Sequence, residues 1–239
     1  TGVRNTIIGG LAGDALTTGN YNVALGYSAL SSEDAYGTNT AIGFQSLRDL
    51  NAGSNAFNTA VGYNAGVSVT TGFQNTIMGG SAGAVKVQDA GADAYNIAIG
   101  YEAGKSVSTG TENTIIGGLA GDALTTGVQN VAIGYEALST EDAHGRNIAI
   151  GFQTLKVQDA GADAYNVAIG YQAGLNVSTG TKNTLIGAFA GDAITTGEFN
   201  VAVGNNALSA EDDHGRNIAI GHFALAVQNA GADAYNIAI

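Results

Sequence analysis

The apolar and polar positions of this chain recur in one short phased pattern. An asparagine is followed by three small or apolar residues and then a glycine, as in NTIIG at Asn5, NVALG at Asn22, NTAIG at Asn39 and NVAIG at Asn130. The anchors are Asn5, Asn22, Asn39, Asn58, Asn75, Asn96, Asn113, Asn130, Asn147, Asn166, Asn183, Asn200, Asn217 and Asn236. Their spacings are 17, 17, 19, 17, 21, 17, 17, 17, 19, 17, 17, 17 and 19 residues. A unit this short is too small for a domain or a helical hairpin, so it predicts one coil of a solenoid.

Within a coil the first residues alternate with a period of two. In NVAIG, Val167 and Ile169 point one way and Ala168 the other. A second small or apolar cluster follows, such as Ala137-Leu138 or Ala173-Gly174. The stretches TTG, EDAHG and DAGADAY carry turn chemistry. The predicted coil is therefore a short strand, a tight turn, a second short strand and a loop. The fold class is all-β, a parallel β-roll or β-solenoid of about 14 coils, each 17–21 residues long. Roughly five to six residues per side make each coil thin, and at about 4.8 Å per coil the stack would reach about 65 Å. Residues 1–239 read as one repeat segment. Thr1 to Arg4 resemble the tail of a preceding coil and the chain stops at NIAI, so the expectation is a stretch of a longer fibre.

The coils are of four kinds, in a block repeated every 70 residues in the second half. They read NTIIGGLAGDALTTG, NVAIGYEALSTEDAHG, NIAIGFQTLKVQDAGADAY and NVAIGYQAGLNVSTGT. The 21-residue spacing after Asn75 joins a front half of the first kind, NTIMGGSAG, to a back half of the third, KVQDAGADAY. Two coils lost from an ancestral block, with the halves rejoined in phase, account for it. A solenoid tolerates such a loss because each coil touches mainly its neighbours.

In-phase stacking predicts that the fourteen asparagines form a ladder of side-chain amides, each bonded above and below. Asn also tolerates the left-handed conformation that a tight corner requires. A second regularity concerns bulk. Coils with Ala two residues after the Asn mostly carry Tyr or Phe at the fifth position, giving a row of Tyr27, Phe44, Tyr63, Tyr101, Tyr135, Phe152 and Tyr171 that is lost at Asn205 and His222. The first kind has Ile7, Ile77, Ile115 or Leu185 at the second position and Gly10, Gly80, Gly118 or Ala188 at the fifth. The expectation is that these two positions pack together and exchange volume.

Composition narrows the function. Phased glycines with 45% apolar residues predict an ordered repeat. Twenty acidic against eight basic residues give a net charge of −12, which disfavours nucleic acid as a partner. No apolar run approaches a membrane span, so no membrane insertion by this segment is expected. The chain has no cysteine, so disulfides do not hold the fold.

Several motifs suggest chemistry. GGLAGDAL at Gly9 to Leu16, repeated from Gly117, is similar to a calcium-binding nonapeptide, but Ala12 and Ala120 occupy a glycine position. Asp14, Asp122 and Asp192 read instead as solvated turn residues. The DAGAD loops bring Asp89 with Asp93 and Asp159 with Asp163, and EDAH brings Glu141, Asp142 and His144. These oxygens and the imidazole are candidate cation ligands. The preferred reading is a polar outer loop, with no metal and no cofactor. GKS at Gly104 to Ser106 lacks phosphate-loop spacing. The six-residue phase of a left-handed-helix acyltransferase fails at Lys105, and no catalytic set converges, so no enzyme is expected. Thr17-Thr18, Thr125-Thr126 and Thr195-Thr196 occur in one kind of coil only, too broken a row for ice binding.

The string N-x-A-I-G-x-x-A, recurring over essentially the whole chain, resembles the YadA-like head repeats of trimeric autotransporter adhesins. It is equally similar to β-roll repeats of phage tail fibres. The resemblance implies a left-handed homotrimeric β-roll, extracellular on a bacterial cell surface or a virion. Its work would be structural and adhesive, with a host-surface glycan or protein as outside partner. A purely structural shaft or filament is the alternative, and ice- or calcium-binding solenoids rank below both. Coils of 17 to 21 residues exceed the tightest head repeats, which implies larger loops.

Overall fold

The computed structural model describes residues 2–83, 94–211, 213–229, 231–233 and 235–239. The chain is an all-β parallel β-solenoid with no helix among the described residues. It divides into two compact units, Thr1–Thr126 and Gly127–Ile239. The first holds β1 (Thr6–Ile8), β2 (Val23–Leu25), β3 (Thr40–Ile42), β4 (Thr59–Val61), β5 (Thr76–Met78), β6 (Ile97–Ile99) and β7 (Thr114–Ile116). The second holds β8 (Val131–Ile133), β9 (Ile148–Ile150), β10 (Val167–Ile169), β11 (Thr184–Ile186), β12 (Val201–Val203), β13 (Ile218–Ile220) and β14 (Ile237–Ala238). Within each unit successive strands pair in parallel and in register, so Ala168 faces Ala149 on one side and Leu185 on the other. The 21-residue coil keeps this phase, because β5 pairs with β6 through Thr76↔Ile97. Its loop, residues 84–93, lies outside the described residues.

Each coil has one strand where two were expected. The second apolar cluster instead forms consecutive tight turns. In the coil of Asn166 the N–H groups of Ala173, Leu175 and Val177 donate to the carbonyls of Gly170, Gln172 and Gly174 at 3.5, 3.2 and 3.1 Å. Gln172 and Gly174 have φ of +53° and +60°. Alternate left-handed residues of this kind rule out an extended strand. This wall is still bonded from coil to coil, since Leu155 N–H donates to Ala173 O at 3.2 Å and Gly174 N–H to Ala190 O at 2.9 Å.

The strand turns its small residue inward. Ala24, Ala41, Ala60, Ala132, Ala149 and Ala168 are buried, while the branched residues on either side of each face outward. The fifth-position aromatics also face outward, with Tyr63 60% and Tyr101 61% exposed. The expected exchange between second and fifth positions therefore fails, because the two lie on opposite sides of the wall. The residue that exchanges bulk with the second position is the eighth. Where the second is Ala, the coils of the second and third kinds bury Leu30, Leu47, Leu138, Leu155 or Leu208 at the eighth. Where the second is Ile77, Ile115 or Leu185, the eighth is Gly83, Gly121 or Gly191. The fourth kind has Ala and Gly, and its neighbours fill the space: a methyl on Gly174 would sit 2.8 Å from Leu185 Cδ1 and 2.9 Å from Leu155 Cδ2.

The glycine that closes each strand sets how closely coils stack. Gly151 has φ of +138°, and a Cβ there would lie 2.2 Å from the carbonyl oxygen of Gly170. Only glycine satisfies both conditions. Gly151→Ala is expected to cost about 3 kcal/mol or more, from backbone strain plus displacement of the next coil. Denaturant unfolding of the variant checks this, and a loss below about 1 kcal/mol would contradict it.

Candidate functional site

The asparagines stand in two ladders, Asn5 to Asn113 in the first unit and Asn130 to Asn236 in the second. The bonding differs from the expected amide-to-amide row. Each Oδ1 accepts the backbone N–H of the next Asn, as in Asn183 N–H to Asn166 Oδ1 at 2.8 Å and Asn200 N–H to Asn183 Oδ1 at 2.9 Å. The Nδ2 donates to a carbonyl fourteen residues on and so closes its own coil. Examples are Asn5 to Gly19, Asn58 to Gly72, Asn96 to Gly110 and Asn183 to Gly197, at 2.7 to 2.8 Å. Direct amide–amide bonds occur from Asn75 to Asn58 and from Asn217 to Asn200. The left-handed residue at this corner is not the Asn but the one before it. Its φ runs from +49° at Tyr95 to +67° at Thr38.

The clip depends on coil length. In the 19-residue coil of Asn147 the two extra residues carry the closing carbonyl out of reach, and Asn147 Nδ2 has no hydrogen-bond partner. Asn183→Ala leaves a buried carbonyl and a buried N–H unpaired, so it is expected to cost roughly 2–4 kcal/mol. Asn147→Ala loses only the Oδ1 contact to Asn166 and should cost about 1 kcal/mol less. Equal losses in parallel denaturation curves would refute the clip.

The aromatic row is continuous only in part. Tyr27, Phe44 and Tyr63 stack at 5.5 and 5.2 Å between centroids in the first unit. Tyr135, Phe152 and Tyr171 do so at 5.7 and 5.2 Å in the second, and Phe189 meets Tyr171 edge-on at 5.2 Å. A hydrogen bond to Glu102 raises the pKa of the Tyr101 hydroxyl, and the charge of Glu136 raises that of Tyr135. Sequence reasoning missed a second exposed row, at the residue preceding each Asn. Arg146 lies 5.5 Å over the Tyr165 ring, Lys182 4.8 Å over Phe199, and Arg216 5.7 Å over Tyr235. The available signal was the recurrence of aromatic and basic residues at that position. A shallow cavity of about 390 Å³ lined by Phe57 and Gln74 opens in the first unit.

The acidic loops resolve into different partnerships from those expected. Asp89 and Asp93 lie outside the described residues. Asp163 does not join Asp159. Its Oδ1 accepts the Gly145 N–H at 3.0 Å and its Oδ2 pairs with Arg146. Asp159 groups instead with Glu141, Asp142 and His144, whose ligand atoms all lie within 4.8 Å of one another. Among the described residues this is the one such group. Asp14, Asp122 and Asp192 belong to none, and burial raises the Asp192 carboxyl above its ordinary range. Thr17 and Thr196 turn their hydroxyls to the carbonyls of Asp34 and Asp213 in the next coil.

Glu141 is 0% exposed and occupies the eleventh position, which other coils fill with Leu124, Val177 or Ile194. Burial raises its pKa, and the His144 N–H at 3.0 Å pulls it back. Glu33 is its counterpart in the first unit. There the carboxylate accepts the N–H groups of Tyr36 at 3.2 Å and Ala52 at 3.4 Å, and burial again raises the pKa. A raised carboxyl pKa means that the folded state holds the proton more tightly than the unfolded state. Stability is then highest below the ordinary glutamate range near pH 4 and falls as pH rises through the raised value. The stability of Glu33→Gln relative to the parent should therefore increase over that interval and be level below it. Thermal melts from pH 3.5 to 7 check the slope, and a flat difference would contradict it.

Compared with models of known families, with curated proteins and with solved structures, the chain gives no match.

Proposed function

We propose that this chain is a segment of a homotrimeric, left-handed β-roll fibre that projects and stiffens an attachment device on a bacterial cell surface or a virion. One observation carries the reading: the outward face of the strands is apolar. In the second unit Ile133, Ile150, Ile169, Ile186, Val203 and Ile220 lie side by side in register, flanked by Val131, Ile148, Val167, Val201 and Ile218. Ile186 and Ile220 remain 37% exposed. The first unit repeats the outer row with Leu25, Ile42, Val61, Met78, Ile99 and Ile116, while its flanking row is mostly threonine, at Thr6, Thr40, Thr59, Thr76 and Thr114. A continuous ladder of apolar residues on an outer face is the kind of surface that marks a contact with another chain. Inside, the strand offers mostly alanine, so a single coil buries little apolar area.

Three copies closing this face on a common axis would supply the missing core, as the resemblance of the N-x-A-I-G-x-x-A string implies. Loops rich in Asp and Glu would then face solvent, in keeping with the net charge of −12. Attachment to a host-surface glycan or protein would fall to those loops and to the exposed rings.

Sedimentation equilibrium is expected to give three chains, about 71 kDa, against 23.8 kDa for one. Ile150→Asp and Ile169→Asp together should abolish the trimer by burying charge at its centre. A monomeric parent chain with native strand content would overturn the reading.

A further inference from the structure

We propose that Glu141, Asp142, His144 and Asp159 form a binding site for one divalent transition cation of the Zn²⁺ type. The ligands come from two adjacent coils of the second unit. Glu141 and His144 share a turn, and Asp159 comes from the coil that stacks on it.

Three observations carry this beyond a cluster of surface acids. First, Glu141 is 0% exposed, and its Oε2 is buried without a hydrogen-bond partner. A carboxylate oxygen in that position costs free energy unless something positive meets it. Second, the buried His144 Nδ1 is turned to the same carboxylate, 3.4 Å from Glu141 Oε1. With Nδ1 deprotonated, the imidazole nitrogen and this carboxylate can turn lone pairs to a common ion. Third, the donors are anchored from behind. Asn130 Nδ2 donates to the His144 carbonyl at 3.1 Å, the His144 N–H donates to Glu141 Oε1 at 3.0 Å, and the Asp159 N–H donates to Ser178 O at 2.7 Å. Fixed ligands lower the ordering cost of binding.

The donor set selects the metal. Ligand atoms up to 4.8 Å from one another need to close by up to about 1.5 Å to reach the edge, about 3.3 Å, of a tetrahedron with metal–ligand bonds of about 2.0 Å. Calcium takes six to eight oxygens at longer distances, and an imidazole is not among its usual ligands. One imidazole with three carboxylates suits Zn²⁺, Co²⁺ or Mn²⁺.

The chain contains its own controls. The corresponding coil of the next block keeps Glu211 and His214 but has Asn229 where this one has Asp159. The corresponding coil of the first unit keeps Glu33 and has Tyr36 where this one has His144. Asp159→Asn and His144→Tyr thus place at the site residues that the same fold already carries in equivalent positions.

The test uses the untagged full chain, stripped with a chelator and titrated with Zn²⁺ by calorimetry and with Co²⁺ by absorption. One ion per chain is expected, with visible Co²⁺ bands of a four- or five-coordinate site and a melting temperature that rises with Zn²⁺. Asp159→Asn and His144→Tyr should each weaken binding at least tenfold and remove the melting shift, while their far-ultraviolet circular dichroism stays that of the parent. The proposal is overturned if neither ion binds at millimolar concentration. It is equally overturned if one ion binds with an affinity that both variants preserve, or if Ca²⁺ binds more tightly than Zn²⁺.

Discussion

Everything in this fold depends on how one side chain joins two directions. The coil asparagine accepts the N–H of the next coil's asparagine along the stack and, in the shorter coils, donates to a carbonyl fourteen residues on across its own coil. A hydrogen bond along the stack alone would allow coils to slip, and a bond across the coil alone would close each ring without fixing its neighbour. Asn supplies both from one planar amide, an acceptor and a donor pointing apart. The ladder is buried from Asn22 to Asn217, where an unpaired polar group is costly, so the register is strongly specified. That specification holds the residue before each Asn in the left-handed region although it is never glycine. Such strain persists where the surroundings over-determine it.

Close stacking at the asparagine corner sets the rest of the packing. Coils approach near enough that the strand-closing glycines nearly touch, as at Gly26, where a Cβ would lie 2.3 Å from Gly43 O. The interior beside them is narrow, and alanine fits it. Bulk therefore enters at the eighth and eleventh positions, or at the second only where the eighth is glycine. The branched and aromatic residues that a β-sheet favours go to the outside. The result inverts a familiar arrangement, since the coil is small inside and apolar outside.

The solenoid was legible in the sequence because the asparagine spacing is a one-dimensional signal. Strand position and phase follow from it directly, including across the long coil after Asn75. Which side of the strand faces inward was not legible. Val167, Ala168 and Ile169 alternate whichever way the strand is turned, and the usual assignment of bulk to the core points the wrong way here. The turn wall at Gln172 and Gly174 was misread as a strand, because coil-to-coil hydrogen bonding does not require an extended backbone. The same blindness to the third dimension separated Glu141 and His144 from Asp159, which lie far apart in sequence and one coil apart in space.

The longer coils show what takes over when the asparagine cannot reach. Asn147 has lost its closing contact, and two residues more of loop separate it from its coil's end. In that loop Asp163 accepts the N–H of Gly145 in the coil beneath, and Asp233 does the same for Gly215 at 3.0 Å. Asn55 makes the equivalent bond to Gly37 at 3.1 Å in the first unit. Arg146 and Arg216 pair with Asp163 and Asp233, which fixes the loop a second time. Closure thus moves from the corner asparagine to a side chain sixteen residues further on, and a bond within the coil is replaced by one between coils. This substitution also explains why the acidic residues of one loop have different fates. Asp163 is committed to holding the coil shut, whereas Asp159, four residues earlier on the same loop, remains with the buried carboxylate and imidazole of its neighbour.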